Sequence, residues 1–374
     1  MKVAIVHDYL NQQGGAERVV ATLHRMYPDA PIFTTIYDAE LMGEPFASAD
    51  VRVSWMQHLP GWRKHFKAYL PLYPFAVRSF DLRGFDLVIS SSSAFAKGIR
   101  VPKDTVHVCY CYSPMRFAWT FDDYVRRSSL SVFSRAAANM IMGPMRRWDV
   151  ASSRHVGRFI AISNEIARRI RQTYDRDSDV IFPPVEVDRF RPSPEQGDYF
   201  LVVARLNAYK RMDLAVEACT ARSLPLMVVG DGPERRQLQE MAGPTVRFLG
   251  RLPDAEVTDL FARCRALILP GAEDFGLTPV EANAAGRPVV AFAQGGALDT
   301  VRDGETGVLF HDPTSASLEE ALVTVSERAW DPNLLRAHAE TFSESAFAIR
   351  FRDAVAREIA RHRFGNSAGN DDHL

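Results

Sequence analysis

The chain has 374 residues, which at about 150 per domain leaves room for two or three domains and excludes a peptide hormone or a single small binding module. With 47% hydrophobic and 24% charged residues, its composition excludes collagen-like and wholly disordered chains. The formal net charge of −1 hides an asymmetry, because residues 1–184 carry 24 Lys and Arg against 17 Asp and Glu, and the remainder 21 against 29.

Short β-branched runs alternate with helical segments, the pattern of parallel sheets with crossover helices. Val3–His7 is predicted as the first strand. The start turns polar too soon for a signal peptide, and no window approaches 18 uncharged apolar residues, so a cytoplasmic protein is expected. Gly14-Gly15 then opens a helix over Ala16–Met26, where backbone N–H groups either meet an anion or simply turn the chain. Pro31–Thr35 follows as a strand. Val51 to Phe80 holds Arg52, Arg63, Lys64, Lys67 and Arg78 with no acid, interleaved with Trp55, Trp62, Phe66, Tyr69, Tyr73 and Phe75. With Trp62 and Phe66 one helical turn apart, this segment suits an anionic surface, either lipid headgroups or a phosphorylated ligand. The alternative is a solvated basic face over core aromatics. Nucleic acid is not expected, since no binding motif accompanies the charge.

Leu87–Ser90 and Val106–Cys111 are the next strands, and His107 reads as a core histidine. Cys109, Cys111, Cys219 and Cys264 cannot build a disulfide framework in a chain this long and read as reduced. Helices are predicted over Val132–Ser153 and Asn164–Tyr174, with strands at Phe159–Ile162 and Val180–Phe182. The D-x-D run Asp175-Arg176-Asp177 lies in a polar turn and reads as solvated rather than metal-binding. The first domain is placed at 1–184, followed by a Pro-rich linker at 185–198. A second winding occupies 199–346, with strands Tyr199–Ala204, Leu226–Val229, Val246–Leu249, Ala266–Leu269 and Pro288–Ala291. Helices fit at about 210–221, 233–242, 254–264, 279–285, 315–328 and 332–361. Residues 365–374 read as a polar, disordered tail. Two doubly wound domains of this kind bind ligands at the carboxyl edges of their sheets.

Three stretches of the second domain carry the chemistry. After the strand ending at Ala204 come Arg205 and, at the expected helix start, Lys210. A cation there is unfavourable unless an anion lies nearby, and the pair suits a diphosphate, although two ordinary surface cations explain it as well. Gly230-Asp231-Gly232-Pro233-Glu234-Arg235 puts arginine where a dinucleotide fingerprint needs its third glycine, so an NAD enzyme loses its best signal and no cofactor is expected. Pro270 to Ala282 places Glu273 on a glycine-bounded loop, where a carboxylate can accept hydrogen bonds from sugar hydroxyls. Phe275-Gly276-Leu277 brings backbone N–H groups to the same edge. Thr278-Pro279-Val280-Glu281 reads as a capping box, which alone would account for Glu281.

Taken together, these residues resemble family 4 glycosyltransferases of the GT-B fold, and the resemblance spans nearly the whole chain. Glu273 and Glu281 match the family's paired glutamates, and Arg205 and Lys210 its diphosphate-binding cations. Gly230-Asp231-Gly232-Pro233, Phe248-Leu249-Gly250 and Gly304-Glu305-Thr306-Gly307 match in order. The resemblance implies two Rossmann-like α/β domains facing a cleft, and a last helix at 347–364 crossing back to the first domain. It implies a retaining, metal-independent hexosyltransferase using a nucleotide sugar, GDP-mannose before UDP-sugars, as in bacterial mannosyltransferases of polysaccharide assembly. Glu273 would bind the donor sugar, Glu281 the ribose and Gly15 the diphosphate. Tyr112 and Arg116 would face the acceptor, with tyrosine standing where relatives often carry histidine. The acceptor would be a polyprenyl-linked saccharide or other glycan, with the enzyme peripheral on the inner face of the plasma membrane. A soluble acceptor and a non-catalytic nucleotide-sugar-binding protein are the alternatives.

Overall fold

The computed structural model describes residues 1–119 and 132–368, which fall into two compact units. Unit 1 comprises Met1–Ile162, Ile166–Ile181 and the chain from Ala348 onward; unit 2 comprises Ser163–Glu165 and Phe182–Phe347.

Unit 1 is a seven-stranded sheet in the order β3-β2-β1-β4-β5-β6-β7. Its strands are β1 (Val3–His7), β2 (Ile32–Thr34), β3 (Val51–Val53), β4 (Leu87–Ser92), β5 (Val106–Cys111), β6 (Arg158–Ala161) and β7 (Ser178–Val180). All pairings are parallel. β1, β4 and β5 are buried along their whole length, as central strands covered on both faces must be. Helices Val132–Ser153 and Asn164–Tyr174 fall where the periodicity predicts them. β3 escapes sequence reasoning because three residues at an edge make no period. β7 lies two residues before the expected Val180–Phe182, since its register follows Phe159–Ala161 of β6.

Unit 2 is a six-stranded parallel sheet ordered β10-β9-β8-β11-β12-β13. The strands are β8 (Phe200–Val203), β9 (Leu226–Val229), β10 (Val246–Gly250), β11 (Ala266–Leu269), β12 (Val289–Phe292) and β13 (Gly307–Phe310). β13 is an addition to the sequence reading. It needs glycine at its first residue, because a Cβ on Gly307 would stand 2.2 Å from the Val289 carbonyl oxygen.

The stretch read as a linker is built into unit 2: Val185, Val187 and Phe190 are buried, and Phe190 packs edge-on against Phe261 at 5.4 Å. The single helix expected over 332–361 is two, Pro332–Glu340 and Glu344–Ala368. Ser343 interrupts it by accepting from Ala346 N–H at 3.3 Å, while Val185 N–H donates to the Phe342 carbonyl at 2.9 Å. From Ala348 this last helix belongs to unit 1, where Phe351 meets Tyr110 and the buried Glu358 pairs with Arg361 at 2.6 Å. It runs to Ala368, into the segment expected to be disordered, since extending a formed helix adds a hydrogen bond per residue fixed. The remainder of the expected tail, 369–374, lies outside the described residues.

All four cysteines are free and buried. His107 is buried with Nε2 2.8 Å from Ser90 Oγ, and burial pushes its imidazole down to about 4, so it stays neutral at physiological pH.

Candidate functional site

In each sheet the strand order reverses at one place, between β1 and β4 in unit 1 and between β8 and β11 in unit 2, and open α/β sheets bind ligands at the carboxyl ends beside that reversal.

In unit 2 the loops after β8 and β11 carry Arg205, Lys210 and Glu273 to that place. Lys210 Nζ lies 2.5 Å from Glu273 Oε1, with the two side chains only 17% and 16% exposed. Lys210 ends a 3-10 turn, Ala208–Lys210, two residues before the helix Met212–Ala221 rather than at its start. The anion that its position calls for is therefore supplied by Glu273 within the same unit. Arg205 is exposed and makes no ion pair among the described residues.

Glycines make the close approach of these loops possible. A Cβ on Gly271 would lie 2.5 Å from the Lys210 carbonyl oxygen, and one on Gly296 only 2.2 Å from the Phe275 Cα and carbonyl oxygen. Gly296 N–H donates to the Glu273 carbonyl at 2.8 Å, so the loop after β12 fixes the backbone of Glu273. Gly296→Ala is therefore expected to destabilise the protein by about 1–3 kcal/mol and to weaken nucleotide binding, because backbone atoms must move to admit the methyl group. Urea midpoints and nucleotide titration test this, with Gly143→Ala as control, since a Cβ there meets nothing within 4 Å.

Phe275 is buried, stacked on Phe182 at 5.6 Å and against Phe342 at 5.9 Å, so only its backbone can serve a ligand. Gly276, at φ 85°, turns the chain into the helix Leu277–Ala284 and is itself the N-cap. The expected capping box is absent: Thr278 lies inside the helix and no side chain caps its start. A glycine turn stands in place of the side-chain cap, and the helix start follows Glu273 by four residues. Glu281 is buried one turn into this helix.

Unit 1 places Gly15 as the first residue of the helix Gly15–Met26, after an extended Gly14 that offers no side-chain cap. Tyr112 is partly buried. Its hydroxyl lies 2.8 Å from Ser91 Oγ and donates to the Ala16 carbonyl at 3.1 Å, tying the helix start to β4 and β5, and burial raises its pKa further. Arg116 lies in the short helix Arg116–Trp119.

Three residues at this edge were not singled out from the sequence. Buried Asp8 accepts from Ser93 N–H and hydroxyl at 2.6 and 2.7 Å and from the N–H groups of Ala94, Phe95 and Ala96 at 3.0, 2.7 and 2.6 Å, which orders the loop after β4. His7 Nδ1 contacts Ser91 at 3.1 Å and its Nε2 lies 3.7 Å from buried Glu17 in the first helical turn. Burial alone would lower the His7 pKa; the hydrogen bond and charge of Glu17, with the charge of Asp8, raise it overall. The signal available was a His-Asp pair at a strand's carboxyl end.

The basic segment is less open than its composition suggests. Arg52 pairs with Asp50 at 2.7 Å, and Arg63 with Asp38 at 3.2 Å and Glu40 at 3.6 Å. Trp62 and Phe66, expected at an interface, pack partly buried against the unit 1 core. Lys64, Lys67 and the 66%-exposed Phe75 remain outside. Asp177 pairs with Arg171 at 2.6 Å, and among the described residues no group of His, Cys, Asp or Glu is placed to hold a metal ion. No described helix is long and apolar enough to cross a membrane.

Two family models match the chain: "Glycosyltransferase Family 4" over residues 13–189 and "Glycosyl transferases group 1" over 186–346. Among curated proteins, D-inositol 3-phosphate glycosyltransferases are similar. That of Streptomyces scabiei is 29% identical over 249 residues, 56% of this chain and 56% of its own length, and that of Frankia alni 31% identical over 186 residues, 41% and 46%. The chain spans about half the length of the curated relatives it matches. Among solved structures, HepE of Anabaena in complex with UDP superposes with a TM-score of 0.73 at 19% identity, covering 96% of this chain and all of that one. Sucrose-phosphate synthase of Thermosynechococcus elongatus gives 0.70 at 17% identity, with the same coverage. The two parallel sheets and these likenesses show a two-domain α/β fold of GT-B type.

Proposed function

The chain belongs to glycosyltransferase family 4, and from that premise we propose that it is a retaining, metal-independent hexosyltransferase acting on a nucleotide sugar in polysaccharide biosynthesis. The observation that carries this reading is the Lys210–Glu273 pair at the strand reversal of unit 2, with Arg205 on the same loop as Lys210 and outside any ion pair among the described residues, and a helix start without a side-chain cap four residues after Glu273. A diphosphate arriving there offers Lys210 a second anion, so that Glu273 can turn to the sugar hydroxyls. The acceptor oxygen bonds to the anomeric carbon as the bond from that carbon to the diphosphate oxygen breaks, and the acceptor proton passes to the β-phosphate. Arg205, Lys210 and the helix dipole stabilise the charge left on the diphosphate. Glu281 is assigned to the ribose, Gly15 to the diphosphate, and Tyr112 and Arg116 to the acceptor side.

Mannose from GDP-mannose is the first reading of the donor, from the resemblance to mannosyltransferases. The complexes of HepE with UDP and UDP-glucose favour a UDP-sugar as the second. The acceptor is read as a polyprenyl-linked saccharide, with a soluble acceptor, favoured by the name of the inositol phosphate relatives, as the alternative. A thermal-shift panel of GDP, UDP, ADP and their sugars tests the donor, since a ligand at 100 times its Kd adds about 2.7 kcal/mol. GDP-mannose should give the largest shift and support transfer in excess EDTA. A shift with UDP-sugars alone selects the second donor, binding without transfer or hydrolysis makes the chain a binding protein, and no shift with any of them rejects the reading.

Peripheral attachment to the inner face of the plasma membrane rests on Lys64, Lys67 and Phe75. Each cation near an anionic bilayer contributes about 1 kcal/mol at most. The chain should sediment with anionic liposomes at low salt and be released at 1 M salt, where the Debye length is about 3 Å. Lys64→Glu with Lys67→Glu should abolish sedimentation without changing nucleotide affinity; a wild type that stays in solution overturns the attachment.

A further inference from the structure

At the opposite edge of the unit 2 sheet, beside the amino ends of β8, β11 and β12, lies an open cavity of about 630 Å³ whose walls include Asp198, Arg265, Arg287, Arg328 and Trp330. Four-residue strands separate this edge from Arg205 and Glu273 by about 13 Å of sheet, so the cavity is no part of the donor loops.

Arg287 is 8% exposed. Its Nε donates to the Ala262 carbonyl at 2.7 Å and its Nη2 to the carbonyls of Ser193 and Glu195 at 2.9 and 3.0 Å, which leaves Nη1 without a partner among the described residues. Burial lowers its pKa, the sign of a charge taken from water without full compensation. Arg265 lies with its guanidinium 5.9 Å from the Phe200 ring centroid, and Arg328 4.9 Å from that of Trp330. Among the described residues none of these three arginines has a carboxylate within ion-pair distance. Other arginines of the same unit do: Arg263 pairs with Glu195 and Asp259, Arg222 with Glu319, and Arg336 with Asp188 and Glu340. Asp198, the one acid on the wall, is exposed. Three like charges on one concave surface, one of them buried, are unfavourable unless an anion joins them. Guanidinium forks match phosphate oxygens two at a time.

We propose that this cavity is an accessory site for a small, multiply charged phosphate, bound by Arg265, Arg287 and Arg328 against Trp330. Trp330 is the single tryptophan between Phe182 and Phe347, so its fluorescence reports on the cavity. The test titrates the full chain with inorganic pyrophosphate at constant ionic strength. It uses an Arg205→Ala, Lys210→Ala background, so that failure of the donor reading cannot produce or hide the signal. A saturable change in fluorescence is expected, absent in Trp330→Phe although calorimetry still detects binding there. Arg265→Gln with Arg328→Gln should weaken pyrophosphate at least tenfold while leaving the urea midpoint in place. Arg287 is kept intact because it holds three carbonyls. No saturable change in the background chain, or equal affinity after the two arginine substitutions, overturns the site.

Discussion

Lys210→Ala is expected to weaken nucleoside diphosphate binding about 10- to 150-fold, which corresponds to the loss of one charge-assisted contact of about 1.5–3 kcal/mol, and to lower transfer at least as much. Two effects combine in this variant. The diphosphate loses a point charge, and Glu273, which Lys210 neutralises at 2.5 Å, is left as an unpaired carboxylate in the proposed diphosphate site. Arg205→Ala separates the two. Arg205 is exposed and has no ion-pair partner among the described residues, so its removal should cost nucleotide affinity but leave the thermal midpoint unchanged. Calorimetric titration of the diphosphate into both variants, with melting curves alongside, checks the pair. Unchanged affinity in both would remove the clamp.

Glu273→Gln is expected to lower kcat and kcat/KM together, by about 10²-fold, with the nucleoside diphosphate Kd kept within about threefold, the signature of a contact made in the transition state. Glutamine keeps the shape of the side chain and can still accept from Lys210, so the loop stays in place. What it loses is the charge that strengthens hydrogen bonds from sugar hydroxyls as positive charge builds on the ring. Steady-state kinetics with saturating acceptor measures this, and full transfer by the variant would take Glu273 away from the sugar.

Local sequence was enough for much of the fold, and it singled out Lys210 and Glu273, which the structure brings together. Helices Val132–Ser153 and Asn164–Tyr174 and strands β1, β5, β9 and β11 follow from periodicity and β-branched runs, which are properties of neighbours in the chain. Arg205 and Lys210 stood out as cations between an apolar run and the next expected helix, and Glu273 as a carboxylate on a glycine-bounded loop after another such run. Short edge strands such as β3 carry no period, and the break at Ser343 depends on a backbone bond to Val185 from far along the chain.

The partners of charged groups were decided only by tertiary structure. Lys210 meets Glu273 because the strand order sets β8 beside β11, and no spacing in the sequence contains that adjacency. The same holds for Arg63, which looks like part of an acid-free patch and is neutralised by Asp38 and Glu40 from an earlier turn. It holds also for Arg265, Arg287 and Arg328, scattered along the sequence and gathered at one sheet edge, none of them in an ion pair among the described residues. Backbone conformation is encoded locally, whereas the electrostatic environment of a side chain depends on everything within a few ångströms, and chain topology chooses those neighbours.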